Sequence, residues 1–132
     1  LEAIRPERFY LYVTTNGFYL DEKMAKKLAE YKVSRVSVSI DSMDEKIHDE
    51  IRGRKESWRR ALEGLKHVKS AGMDPYLNIT VGHYNADTEH FKQLLDYSKD
   101  QRYDPEYKFR PIWVAVVTHK AFQENAYPAL IM

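Results

Sequence analysis

Val36-Ser37-Val38-Ser39-Ile40-Asp41-Ser42 alternates apolar and polar residues. Side chains along a β-strand point to opposite faces with period two. Val36, Val38 and Ile40 therefore share one face, and Ser37, Ser39 and Asp41 share the other. A buried polar face is costly unless something pairs with it. The stretch thus reads as a strand that offers hydroxyls and a carboxylate to a ligand. The plain alternative is that Ser39 and Asp41 cap the following helical turn or satisfy local backbone groups.

The same pattern returns downstream. Leu77, Ile79 and Val81 alternate with Tyr76, Asn78 and Thr80. Around these two strands the chain reads strand, helix, strand, helix, strand, helix, strand. Residues 9–15 are rich in aromatic and β-branched types and end at the turn pair Asn16-Gly17. Asp21 caps a helix whose apolar stripe is Leu20, Met24, Leu28 and Tyr31. Residues 35–40 form the second strand, and a short helical stretch follows over 44–51.

The clearest helix spans 57–71, with Trp58, Leu62, Leu65 and Val68 on one face and Gly72 at the stop. Strand 76–81 follows. Asp87 or Thr88 then caps a third main helix, with Phe91, Leu94, Leu95 and Ser98 inward. Residues 101–107 read as a loop and 109–118 as a fourth strand; 120–132 has no clear period.

Strands alternating with helices of this length imply an α/β fold built from parallel β/α units with right-handed crossovers. An open doubly wound sheet has helices on both faces and strands apolar throughout. The alternation here instead predicts part of a β/α barrel with a polar interior. Both architectures bind ligands at the C-terminal strand ends. There the chain delivers Thr14-Thr15-Asn16, Ser39 and Asp41, Asn78 and Thr80, and the pairs Gly82-His83 and Thr118-His119.

Composition narrows the classes. The 132 residues are 43% hydrophobic and 31% charged, with a formal net charge of +1. That fits a single globular domain and supplies no global field toward nucleic acid or membrane. No apolar run approaches the ~20 residues needed to span a bilayer. Leu1-Glu2-Ala3-Ile4-Arg5 has no signal-peptide character, so a cytoplasmic location is expected. There is no cysteine, which removes disulfides, thiolate ligands and a cysteine nucleophile. The chain opens on Leu1 rather than Met, which points to processing, trimming or a fragment.

Arg52-Gly53-Arg54-Lys55 precedes a helix that continues with Arg59-Arg60. Cations at a helix N-terminus oppose its dipole. This points to an anionic partner, with Arg52 the leading candidate because its fork suits carboxylates. The alternative is a surface patch paired with Glu45, Asp49, Glu50 and Glu56. Among the five histidines, His83 and His119 fall at strand ends, His48 in a charged turn, and His67 and His90 on helices. None has metal-ligand spacing, so no metal site is expected. Asn78-Ile79-Thr80 matches a glycosylation acceptor but falls on a strand. Tyr10, Tyr12 and Tyr19 fit a cavity wall or simple strand propensity equally well.

Taken in order, Thr15-Asn16-Gly17, Val38-Ser39-Ile40-Asp41, His48-Asp49-x-x-Arg52-Gly53, Ala71-Gly72, Asn78-Ile79-Thr80-Val81 and Asn85 carry a resemblance. The set resembles the middle of a radical S-adenosylmethionine (radical SAM) enzyme, in the branch of molybdenum-cofactor biosynthesis enzymes and peptide-modifying maturases. It covers roughly residues 9–118.

The resemblance implies a partial β/α barrel holding SAM across its strand ends. It implies cofactor-binding roles for Thr15, Asn16, Ser39, Asp41, Arg52, Asn78 and Thr80. Ser39 would lie near the SAM ribose or methionine, and Arg52 would meet the methionine carboxylate. The T-N-G match favours Thr15, whereas strand alternation sets Thr14 beside Asn16.

The family's [4Fe-4S] cluster is held by a C-x-x-x-C-x-x-C loop, and a Gly-Gly-Glu-type segment follows it. Neither is present in these residues. The resemblance therefore implies that residues 1–132 are part of the core of a larger enzyme and do not cleave SAM reductively by themselves. A clusterless SAM- or nucleotide-binding module is the alternative, and an unrelated open-sheet nucleotide binder a third. Substrate and electron donor are not legible. If preceding strands are missing, the edge of strand 9–15 is exposed and invites self-association.

Overall fold

A computed structural model of the chain describes residues 8–82, 85, 86, 88–100 and 113–118. The elements are β1 (Leu11–Thr15), α1 (Glu22–Glu30), β2 (Val33–Ser39), α2 (Glu45–Arg52), α3 (Ser57–Ser70), β3 (Asp74–Val81), α4 (Thr88–Asp100) and β4 (Trp113–Thr118). The four strands form one sheet in the order β1-β2-β3-β4, and every neighbouring pair is parallel. The predicted α/β order is thus observed.

The sheet has two unlike faces. Val36, Val38, Ile40, Leu77 and Ile79 are fully buried on the first. α3 packs on β2 and β3 there, α1 on β2 and α3, α2 on α3, and α4 on β4. Each large apolar side chain on this face contributes about 1.5–3 kcal/mol on burial. The second face carries Tyr12, Thr14, Arg35, Ser37, Ser39, Tyr76, Asn78 and Thr80. Toward the strand starts, Arg35 lies between the rings of Tyr12 and Tyr76, 5.1 Å from each centroid. Helices on one face and a polar second face make this a barrel wall rather than a doubly wound sheet.

Two helices bury the predicted Leu20, Leu28, Leu65 and Val68 but sit on the core with the face rotated toward smaller residues. On α1 the buried residues are Ala25 and Leu28, while Met24 is exposed. On α3 they are Ser57, Ala61, Gly64, Leu65 and Val68, whereas Trp58 and Leu62 are only partly buried. The reason is close approach. A Cβ on Gly17 would lie 2.9 Å from Ala61 Cα, and one on Gly64 would lie 3.2 Å from Leu20 Cβ. The small residues let α3 settle on the β1–α1 turn, and the large ones flank the contact.

Caps define the helix starts. Asp21 accepts from the Met24 amide, as predicted, and Asp44 accepts from the Lys46 and Ile47 amides. Gly53 ends α2 in the left-handed region at φ 62. β3 begins two residues earlier than predicted, at Asp74, because Pro75 is accommodated near the strand start. The loop 101–107 and the tail 120–132 lie outside the described residues. Among the described residues, no helix is long and apolar enough to cross a membrane.

Candidate functional site

The predicted site residues gather at the C-terminal edge of the sheet, where β2 gives way to the loop before α2. Ser39 and Asn78 are register partners across β2 and β3. Asn78 Nδ2 donates to Ser39 Oγ at 3.5 Å, a long bond that leaves both groups capacity for a further partner. Just past the last register pair, the carboxylate of Asp41 takes over from the backbone ladder.

Asp41 is 2% exposed, and all four of its polar functions are engaged. Its Oδ1 accepts from the Thr80 amide at 3.0 Å. Its Oδ2 lies 2.7 Å from Arg52 Nη2. Its carbonyl accepts from Asn85 Nδ2 at 2.7 Å, and its own N–H donates to His48 Nδ1 at 3.2 Å. Asn85 is itself fully buried; it also donates to the Thr80 carbonyl and accepts from the Gly82 amide. Asp41 thereby ties the end of β2 to β3, to α2 and to the segment after β3. Its carboxylate is spent on protein groups.

Arg52 is the side chain with capacity left over. Its Nη2 is paired with the Asp41 carboxylate at 2.7 Å. Its Nε is buried without a hydrogen-bond acceptor among the described residues. A buried guanidinium donor left unserved is costly unless an acceptor arrives, and a carboxylate matches the guanidinium fork. The arrangement can hold a small anion beside the polar Ser39–Asn78 edge.

Thr15 and Asn16 serve their own turn. Thr15 Oγ1 accepts from the Gly17 amide at 3.1 Å, and Asn16 Oδ1 accepts from the Phe18 amide at 3.0 Å. Thr15 pairs with Val38 on the helix-covered side, while Thr14 pairs with Ser37 on the polar face. The structure therefore brings Ser39 to Asn78, and Asp41 to Arg52 and Thr80. Thr15 and Asn16 sit on the adjoining strand end.

The rest of the basic patch is occupied locally. Arg59 pairs with Glu45 at 2.9 Å and Arg60 with Glu56 at 3.5 Å. Arg54 stacks on Phe18 and donates to the Tyr19 hydroxyl at 3.1 Å. Arg59 and Arg60 fit the paired surface patch, whereas Arg54 rests on aromatic rings instead.

Three residues that carry the resemblance were given no role in the site by the sequence. His48 was expected in a charged turn; it lies on α2, fully buried. Burial, then the nearby Arg52 charge, holds it below its ordinary 6.5, so it is neutral and accepts through Nδ1. Its four-residue spacing from Arg52 was the available signal. Asn85 carried no periodic signal at all.

Asp49, read as a surface counter-charge, bridges α2 to α3. It accepts from the Glu56 amide, the Ser57 hydroxyl and the Trp58 amide at 2.6, 2.9 and 2.9 Å. Burial pushes its carboxyl up, but those hydrogen bonds outweigh it and leave it below the usual 3.8. His83 and His119 lie outside the described residues. Among the described residues, no three His, Cys, Asp or Glu side chains form a group that could hold a metal ion.

Comparison with known proteins places this geometry. Residues 1–98 match the family model described as the radical SAM superfamily. The GTP 3′,8-cyclase of Nautilia profundicola is 35% identical over 101 residues, covering 76% of this chain and 30% of the relative. The Fe-coproporphyrin III synthase of Methanosarcina barkeri is 38% identical over 73 residues, covering 55% of this chain and 18% of the relative. The chain thus spans under a third of the length of these curated relatives. Among solved structures, anSMEcpe with bound AdoMet superposes with a TM-score of 0.61 at 21% identity, over 83% of this chain and 28% of that one. At that identity the likeness is one of fold.

Proposed function

This chain belongs to the radical SAM superfamily, and we propose that it supplies part of the SAM pocket and barrel wall of an enzyme acting through that cofactor. When bound, SAM would supply the chemistry: reductive cleavage to methionine and a 5′-deoxyadenosyl radical that would take hydrogen from a substrate. The chain's residues bind, orient and shield.

One observation carries the reading: an arginine paired to a buried aspartate, with its Nε buried and still unserved, stands at the C-terminal end of a parallel sheet, beside a polar pair. We assign Arg52 to the methionine carboxylate of SAM. Ser39 and Asn78 face the ribose or methionine portion. Asp41 and Thr80 frame the pocket, and Thr15 and Asn16 shape its rim. The donor set fits SAM. It does not fit the family's cluster, because none of the 132 residues is a cysteine. These residues therefore hold no [4Fe-4S] ligand, and we assign them no step of electron delivery. Residues 1–132 form part of the core domain. The cytoplasm, with its reducing poise, is the compartment we propose.

The test is equilibrium binding of SAM to the protein in its native length. Arg52→Gln should weaken SAM about ten- to a hundredfold, the size of a charged hydrogen bond at ~1.5–3 kcal/mol. Unchanged affinity would remove Arg52 from the pocket. The second reading is a clusterless SAM-binding module. Iron and sulfide analysis of the native-length protein separates the two: about four of each per chain fits the enzyme, and none, with SAM still bound, fits the module.

A further inference from the structure

We propose that His48 is a positioning residue for Arg52, acting through the backbone of Asp41; this rests on the assignment of Arg52 to the SAM carboxylate. His48 and Arg52 stand one turn apart on α2, so they project from the same side of the helix. Both reach Asp41, and they hold different parts of it. His48 Nδ1 takes the Asp41 N–H at 3.2 Å, and Arg52 Nη2 lies 2.7 Å from the Asp41 Oδ2. Asp49 already ties α2 to α3. The two contacts on Asp41, one on the main chain and one on the carboxylate, set the face of α2 against the strand end and hence the place of the guanidinium.

The imidazole is maintained in this role against a cost. Accepting at Nδ1 requires the proton on Nε2, and Nε2 is buried without a partner among the described residues. A hydrophobic side chain of similar volume would avoid that orphan donor. It would leave the buried Asp41 N–H unserved instead. The histidine is thus the choice that satisfies the main chain at the hinge between β2 and α2. Asp41 is in turn braced from β3 by the Thr80 amide and by Asn85. The grip of His48 is therefore transmitted against a fixed support.

Asparagine and glutamine separate this role from simple packing. The Asn side-chain oxygen falls where Nδ1 stands, and the Gln amide falls near Nε2. In the native-length protein, SAM and 5′-methylthioadenosine, which lacks the carboxylate, are titrated into wild type, H48N, H48Q and R52Q. Amide exchange at Asp41 is followed in parallel. The proposal expects H48Q to lose about tenfold of the preference for SAM over methylthioadenosine and to exchange the Asp41 amide faster. H48N should retain both, with all variants melting within a few degrees of one another.

Equal loss for both ligands, or H48N and H48Q behaving alike, would overturn the positioning role and leave His48 as core packing. If R52Q keeps the full SAM preference while the Asp41 exchange pattern follows the expectation, the assignment of Arg52 is what fails. The positioning role falls with it.

Discussion

His48 illustrates how a buried ring nitrogen converts into pH dependence. Its proton is disfavoured in the folded state by burial and by Arg52, with Asp41 and Asp49 opposing. The unfolded chain takes up that proton near its reference value of about 6.5. Above that pH both states are neutral and His48 contributes no slope. As pH falls below it, the unfolded state binds the proton first, and stability declines until the folded value is reached. Asp49 acts in a separate window, since its carboxyl is held below 3.8. Urea melts of wild type and H48N between pH 7.5 and 5 are the check. Wild type should lose stability across the acid half of that range with a steeper slope than H48N; parallel curves would place the imidazole in contact with solvent. Sequence alone could not expose this residue, because an isolated histidine amid charges reads as surface until tertiary packing encloses it.

At the scale of elements, the start of α3 depends on a side chain from another helix. Glu56 occupies the cap position with φ 65 and makes no side-chain cap bond. Asp49, from α2, serves the exposed donors of the first turn in its place. Asp49→Ala is expected to destabilise the fold by about 1–2 kcal/mol, and Asp49→Asn by less, as measured by chemical denaturation. A cost near zero for Asp49→Ala would mean that water serves the turn equally well. Strand identity was legible because period-two alternation survives burial. The helix faces were less so. Hydrophobicity marks Trp58, Leu62 and Met24 as inward, but the geometry of α3 on the β1–α1 turn rewards small side chains at the closest contact. The cap from Asp49 was illegible because it joins elements through space.

For the molecule as a whole, the alternation in β2 and β3 correctly indicated helices on one face and a polar face opposite. The candidate site residues do lie at the C-terminal strand ends, where the sequence put them. The network around Asp41 was not legible, since its partners Thr80 and Asn85 lie 39 and 44 residues away. β1 stands at one end of the strand order, and Phe9, Tyr10 and Tyr12 are exposed beside it. Unpaired strand edges with exposed aromatics template further pairing. The isolated 132-residue chain is expected to self-associate, with light scattering giving a mass that rises with concentration. A constant monomer mass would show that this edge is protected.

The long reach of Asp41 also sets an order of assembly. Chains emerge from the ribosome N-terminus first. When α2 has been made, Asp41 can meet only His48 and Arg52. Its anchors at Thr80 and Asn85 lie 39 and 44 residues beyond Asp41, past the whole of α3. A nascent chain stopped before Thr80 therefore carries Arg52 but no rigid seat for it, and the seat is completed late, when the third strand and its following turn emerge.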